Sequence, residues 1–178
     1  YEYDAENKLV RVVSPSNAVN YRYDGLGRRV EKEVIAGSTT VTKYVYDNED
    51  ILLELDRSNN IVARYTHGPG IDEPLIVDKG GAAFFYHADG LGSITEITDS
   101  AGVIKQRYTY SSFGKIESQL DSNFVQPYTF TSREFDPESG LDVKGGLLTQ
   151  GGMIADLGPR LFIDGMPEGV EVVDCKGR

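Results

Sequence analysis

The chain has 178 residues, 39% of them hydrophobic, and a formal net charge of −10. This length suffices for one domain with a core, and the composition is that of a globular protein. The excess of carboxylates argues against nucleic-acid binding by the bulk of the chain, because a phosphate-binding surface needs clustered Lys and Arg. A single cysteine, Cys175, excludes an internal disulfide.

The chain lacks the sequence signals of membrane insertion. No apolar run approaches the roughly 18 residues that a membrane-spanning helix needs. The first residues have neither the basic segment nor the apolar segment of a signal peptide. Because the chain begins at Tyr1 in the middle of a repeated phrase, we expect it to be cut at both ends from a longer polypeptide.

A tyrosine-led phrase recurs from the first residue onward. It reads "YEYDAENKLVRVV" at residue 1, "YRYDGLGRRVEKEV" at 21 and "YVYDNEDILLEL" at 44. Its spacing of 20 to 23 residues persists through residue 135, which predicts a repeat architecture. The phrases begin at Tyr1, Tyr21, Tyr44, Tyr65, Tyr86, Tyr108 and Tyr128, and several carry a second tyrosine two residues later, at Tyr23, Tyr46 and Tyr110.

Each repeat unit has the pattern of a β-hairpin. Apolar and polar residues alternate in "TTVTKYVYD" and "SITEITDSAGVIKQRY", as they do in strands with one buried face. Segments such as "DRSNN" and "DGLG" carry the residues that tight turns require. Because a lone hairpin is only marginally stable, we expect consecutive units to pair edge to edge in one all-β antiparallel sheet. The tyrosines then serve as packing residues.

The last units carry a more specific phrase. The segment "YHADGLGSITEITDSAGVIKQRYTYSSFGKI", followed by "PYTFTSREFDPESGL", resembles the associated core of the Rhs and YD-repeat polymorphic toxin family. The resemblance extends over residues 1–141. It implies that this stretch is a segment of a curved, spiralling β-sheet that closes into a hollow shell around a C-terminal toxin.

The resemblance also implies partners and a location. The shell segment would contact its own C-terminal toxin domain and the remainder of the shell, and it would need no cofactor. A secretion-system spike or adaptor and a cognate immunity protein are further partners of such toxins. The protein would be delivered out of the producing cell.

The pattern changes after residue 141. Residues 142–152 form a Gly-rich junction where the family usually has an aromatic- and arginine-rich stretch, so none of its self-cleavage residues has a counterpart here. Either this protein diverges at the junction, or the junction joins two segments that are separate in the native polypeptide. Residues 153–178 are predicted to begin a C-terminal toxin domain.

The tail suggests one candidate chemistry. "RLFI" and "VEVVDC" read as a hairpin that places Asp164, Asp174 and Lys176 at strand ends. This pattern resembles the core of PD-(D/E)-x-K nucleases, in which two carboxylates hold Mg²⁺ and the Lys stabilises charge. Asp164 and Asp174 would bind the metal and Lys176 would be catalytic, in a domain incomplete here. Acidic-x-Lys also occurs at Glu6–Lys8 and Asp142–Lys144, so an ordinary polar hairpin end is the alternative.

A third hypothesis is an adhesin-like module that binds a glycan or a neighbouring cell. Aromatic platforms next to carboxylates suit sugars, and the repeat offers both. The same residues are accounted for by sheet packing, however. The two histidines, His67 and His87, both lie in the repeat region, far in sequence from Cys175, which argues against a Cys–His catalytic pair.

Overall fold

The structure is a computed structural model that describes residues 1–70, 72–144 and 147–149; for residues 142–144 and 147–149 it describes the backbone. The predicted Mg²⁺ and catalytic residues Asp164, Asp174 and Lys176 lie outside these ranges. No helix in the described part of the chain is long and apolar enough to cross a membrane.

Twelve strands form one sheet in which every strand pairs antiparallel with its neighbours in the chain. This confirms the predicted all-β fold of consecutive hairpins. The strands are β1 (Glu2–Tyr3), β2 (Leu9–Val13), β3 (Ala18–Tyr23), β4 (Arg29–Ala36), β5 (Ser38–Asp47), β6 (Asp50–Leu55), β7 (Ile61–His67), β8 (Pro74–Lys79), β9 (Ala82–Ala88), β10 (Ile94–Asp99), β11 (Ile104–Tyr110) and β12 (Ile116–Gln119).

The aspartate of the tyrosine–aspartate phrase organises the hairpin turn. The Oδ1 atom of Asp89 accepts the backbone N–H groups of Leu91 and Ser93, both at 2.9 Å. The backbone closes the same turn, since the N–H of Gly92 bonds the Asp89 carbonyl and Gly92 takes a φ of 81°. The same pair of side-chain contacts recurs in the phrase at Asp4 and Asp24, and a serine hydroxyl makes it at Ser111. Outside the phrase, Asp56 and Asp99 make it in the turns that follow β6 and β10.

The alternation of the strands places the first tyrosine of five repeats on one face of the sheet, whereas Tyr1 precedes β1 and is exposed. We call this the covered face, and it carries the buried side chains of Tyr21, Tyr44, Tyr65, Tyr86 and Tyr108. Small and aliphatic residues such as Ala63, Val77 and Ile97 fill the space between the rings. The hydrophobic core therefore lies on this face.

The chain after β12 leaves the sheet and returns across the covered face. We call residues 121–141 the strap. It contains a short 3-10 turn, Phe130–Ser132, and then β13 (Glu134–Asp136). β13 is the first strand of a separate three-stranded antiparallel sheet with β14 (Leu141–Lys144) and β15 (Leu147–Thr149). The predicted boundary between residues 141 and 142 therefore falls inside β14.

Tyr128 differs from the other phrase-leading tyrosines. It continues their spacing in the sequence, but it lies in the strap, outside the twelve strands, where it forms an isolated bridge with Glu134. Its ring packs against the covered face instead of extending the sheet. Spacing along the chain could not distinguish a residue of the sheet from one that packs on it.

Candidate functional site

The buried tyrosines act as packing groups rather than as acids or bases. Desolvation by burial raises the pKa of Tyr44, Tyr65 and Tyr86 well above the usual value of a phenol. At neutral pH all three therefore remain uncharged. A neutral phenol can lie against an apolar surface and still use its hydroxyl as a donor.

In four phrases the aromatic residue two positions after the first tyrosine ties its hairpin to the preceding one. The Tyr110 hydroxyl donates a 2.6 Å hydrogen bond to the carbonyl of Ile94, the first residue of β10. Each such bond joins the end of one strand to the start of the strand before it, and we call it a seam bond. The other seam bonds are Tyr23 to Leu9 at 2.7 Å, Tyr46 to Arg29 at 2.8 Å, and the His67 ring nitrogen Nε2 to Ile51 at 3.0 Å.

One repeat lacks an aromatic residue at this place. The phrase that begins at Tyr86 has Ala88 two residues later, so its side chain has no group that could donate a seam bond. His87 lies between them and is exposed, with its Nε2 atom 2.9 Å from the Thr98 hydroxyl. His67 and His87 therefore have different environments.

The strap covers the tyrosines with further aromatic contacts. The Tyr128 ring meets Tyr65, His67 and Tyr86 edge-on, with ring centroids 5.4, 5.6 and 5.9 Å apart. Gln126 donates a 2.9 Å hydrogen bond to the Tyr108 hydroxyl and is itself buried. Edge-to-face ring pairs add to the stabilisation that burial gives, so the strap is held by packing along most of its course.

A buried ion cluster holds the other end of the strap. The Arg29 side chain on β4 is 2% exposed and contacts Asp136 and Glu134 of β13, each at 2.6 Å. Lys32 reaches Asp136 and Glu138, each at 3.1 Å. We call these five residues the strap clamp. Two cations thus meet three carboxylates where β13 approaches β4.

Aromatic rings complete the environment of Arg29. Its guanidinium carbon lies 4.9 Å from the centroid of the Tyr44 ring and 5.7 Å from that of Tyr21. A guanidinium over a tyrosine face is attracted by the ring quadrupole, more strongly where water is excluded. The repeat tyrosines therefore help to keep Arg29 in the position from which it reaches the strap.

The carboxylates of the strap clamp respond differently to burial. Desolvation raises the pKa of Glu134, and its attraction to Arg29 only partly opposes this. Desolvation also acts on Asp136, but the charges of Arg29 and Lys32 outweigh it and hold the pKa of Asp136 below its usual value. Asp136 is therefore the firmly ionised partner of the cluster.

The sequence did not predict the strap clamp, although the spacing of its carboxylates was visible. Glu134, Asp136 and Glu138 lie two residues apart, a spacing that places side chains on one face of an extended chain. Their cations, Arg29 and Lys32, lie more than 100 residues earlier. Nothing in either stretch indicated that the two would meet.

The cluster's chemistry is that of a structural clamp. Its carboxylates are already engaged by Arg29 and Lys32 at hydrogen-bonding distance. Within the residues that the structure describes, no group of three or more His, Cys, Asp or Glu side chains is placed to hold a metal ion.

The sequential antiparallel sheet, its row of buried tyrosines (the tyrosine ladder) and the strap together define a β-sheet protein of the tyrosine–aspartate repeat class. The family described as Teneurin YD-shell matches residues 1–145. The chain belongs to this family, in agreement with the resemblance to YD-repeat toxins.

Two comparisons extend this result. The tRNA nuclease WapA of Bacillus subtilis strain 168 is 32% identical over 148 residues, which cover 79% of this chain and 6% of WapA. The crystal structure of TcdB2-TccC3 superposes with a TM-score of 0.63 at 18% identity, over 85% of this chain and 9% of that chain. The chain thus spans a small fraction of the proteins it matches, and the second similarity concerns the fold.

A shorter segment of the chain is similar to an enzyme of another kind. The dihydroorotase of Ehrlichia chaffeensis is 53% identical over 45 residues, which cover 25% of this chain and 10% of that enzyme. Its identity is higher than that of WapA, over a much shorter stretch.

Proposed function

We propose that residues 1–144 are part of the wall of a toxin-carrying shell, with a structural rather than a catalytic role. The observation that carries the proposal is the unbroken twelve-stranded sheet, in which each hairpin pairs with the next. Such a sheet grows by adding hairpins at β1 or β12, and a wall that closes on itself leaves few exposed strand edges. The enclosed partner would be a toxin domain of the same polypeptide.

The strap supports a wall that stays in one conformation. It covers the tyrosine ladder from β11 to β4 through Gln126, Tyr128 and the strap clamp. Because these contacts cover tyrosines from four strands, the strap holds one face of the sheet in a single packed arrangement. The remainder of the shell and a delivery apparatus are the further partners that this proposal implies.

Protease protection in the full-length protein tests enclosure. A specific protease site is introduced into the segment downstream of the wall, and a matched site is introduced at the exposed Gly80–Gly81 turn between β8 and β9. We expect the downstream site to resist cleavage in the native protein while the turn site is cut, and both to be cut after denaturation. Equal cleavage rates in the native protein would rule out enclosure.

A second candidate concerns the tail. We infer that the similarity to dihydroorotase belongs mainly to residues after 141, because the shell family accounts for residues 1–145 and the tail carries no tyrosine phrase. On this proposal the tail begins a dihydroorotase-like segment, and Asp164, Asp174 and Lys176 have no nuclease role. The nuclease hypothesis for these three residues stays a prediction that competes with it.

Sequencing the source DNA through codons 130–178 and beyond separates the two. A reading frame that continues into a dihydroorotase after Arg178 would support the second candidate. One that continues into a nuclease domain would support a metal role for Asp164 and Asp174. An interruption between codons 141 and 152 would show that the junction joins two separate segments.

A further inference from the structure

His67 occupies a place that tyrosine holds at the other seams. It lies at the end of β7, as Tyr23 and Tyr110 end β3 and β11 and Tyr46 is the next-to-last residue of β5. Its ring bonds the carbonyl of Ile51 as those hydroxyls bond theirs. Its side chain is 6% exposed. At the seam between β6 and β7, the titratable imidazole of His67 therefore makes the bond that a tyrosine hydroxyl makes elsewhere.

The seam bond determines the tautomer of the neutral ring. A carbonyl oxygen can only accept, so the His67 Nε2 atom carries the hydrogen that bonds Ile51 at 3.0 Å. The Nδ1 atom then has a lone pair and no hydrogen. This atom is buried and has no hydrogen bond among the described residues, and it lies 3.8 Å from the Oδ1 atom of Asp50.

The groups around His67 come from three elements. Asp50 belongs to β6, and Tyr65 lies on β7 with its hydroxyl 3.0 Å from the Glu54 carboxylate. Tyr128 of the strap presents its ring edge-on to the imidazole. The loop that follows β7 contains the carboxylates Asp72 and Glu73, of which Glu73 accepts the Gly70 N–H at 2.9 Å.

We propose that His67 and Asp50 form a pH-sensitive seam. When the ring is neutral, the Nδ1 lone pair faces a carboxylate oxygen, which is repulsive. When Nδ1 takes a proton, the same two atoms attract each other as an ion pair, while Nε2 keeps its bond to Ile51. Acidification therefore tightens the seam between β6 and β7, whereas the tyrosine seams do not titrate in this range.

Nitrogen NMR of the His67 ring in the full 178-residue chain tests the protonation step. At pH 7.5 we expect Nδ1 to give the signal of an unprotonated ring nitrogen and Nε2 that of a protonated one. Between pH 7.5 and 5 the Nδ1 signal should move to the protonated value. A protonated Nδ1 at pH 7.5, or a ring that stays neutral down to pH 5, would overturn the proposal.

Urea unfolding tests the effect on the seam, compared at pH 5.5 and 7.5 for wild type, Asp50→Asn and His67→Tyr. His87→Gln is the control, since it removes the exposed histidine. From pH 7.5 to pH 5.5, the urea midpoints of wild type and His87→Gln should rise by about 0.3 M or more relative to those of Asp50→Asn and His67→Tyr. Asp50→Asn keeps the histidine, so the test survives if His67→Tyr fails to fold. An equal pH response in wild type and Asp50→Asn would refute the ion pair.

Discussion

The tyrosine and the aspartate of the repeated phrase have separate structural roles. The tyrosine ring fills the covered face, while the aspartate three residues later holds the turn by accepting two backbone N–H groups. Ser111 makes the same contacts where the phrase reads Tyr-Ser, at 3.4 and 3.2 Å compared with 2.9 Å for Asp24. The position thus requires an acceptor of short reach rather than a negative charge.

Asp136 offers the sharpest test at the scale of a single residue. Replacing it by Asn removes the charge that Arg29 and Lys32 share and leaves buried cations undercompensated. We expect the free energy of unfolding to fall by about 3 kcal/mol, as for other broken buried pairs. The control is Glu31→Gln in the more exposed Arg22–Glu31 pair, at 3.4 Å, which should cost less than about 1 kcal/mol. Chemical denaturation measures both, and equal effects would contradict a buried clamp.

The pKa of Asp136 predicts how this contribution depends on pH. Because the folded protein lowers that pKa, the stabilisation is complete above the unfolded value of about 3.9 and is lost as pH falls through the lower folded value. Wild type should therefore lose more stability than Asp136→Asn between about pH 4 and 2. Parallel pH profiles for the two proteins would show that Asp136 is not held in its ionised form.

The hairpin is the element in which turn and seam combine. Its turn needs a residue with positive φ at a defined place, and its seam bond ties it to the strand before it. Both features recur with the period of the repeat, and each can be changed without touching the core. The following two variants separate them.

Gly92→Ala tests the turn. Gly92 has a φ of 81°, and a Cβ there would meet no atom within 4 Å, so the cost is one of backbone strain alone. We expect a loss of about 1 kcal/mol in unfolding free energy. Gly90→Ala in the same turn also has open space but no positive φ, and it should be nearly neutral. If thermal unfolding shows the same loss for both, the strain argument is wrong.

Tyr110→Phe tests the seam. The change removes the hydroxyl that bonds Ile94 but keeps the ring, which packs against Tyr108 and Phe130. We expect a loss of about 1 kcal/mol, the usual net value of a hydrogen bond with a partner left unpaired. Tyr3→Phe is the matched control, because Tyr3 is 52% exposed in this structure. A larger loss for Tyr3→Phe would contradict the assignment of seam bonds.

On the scale of the whole molecule, the strap joins parts of the chain that the repeat keeps apart. Neighbouring hairpins contact each other through the sheet, whereas the strap connects β11, β9, β7 and β4 in one pass. Leu141 extends this course to the second hydrophobic cluster, which includes Leu9 and Val19. The strap therefore makes the stability of distant hairpins interdependent.

Limited proteolysis tests that interdependence. In Arg29→Ala the strap clamp loses the cation that binds both Glu134 and Asp136, so the strap should detach and be cut within residues 121–141. The Arg22→Ala variant keeps the clamp, so residues 121–141 should stay uncut in it, as in wild type. Mass spectrometry of the fragments identifies the sites. A strap that stays uncut in Arg29→Ala would show that aromatic packing alone retains it.

Local sequence patterns were enough to predict most of the fold. Period-two alternation, turn residues and tyrosine spacing predicted consecutive hairpins in one sheet, because each of these signals acts between residues that are close in sequence. They could not predict where residues 121–141 would lie. Tyr128 has the spacing of a sheet residue, and nothing within its own unit distinguishes pairing at an edge from packing on a face.

The strap clamp and the His67 seam bond could not be predicted from the sequence, because each joins residues from different segments of the chain. Arg29 becomes a buried partner of Asp136 because a strand 107 residues later crosses above it. His67 reads in sequence as one polar residue among many, and it becomes a seam residue once β6 places Ile51 and Asp50 beside it. The alternation of residues along a strand predicts which face of the sheet a side chain lies on. Which residues it contacts there depends on distant segments of the chain, which pack where the total free energy is lowest.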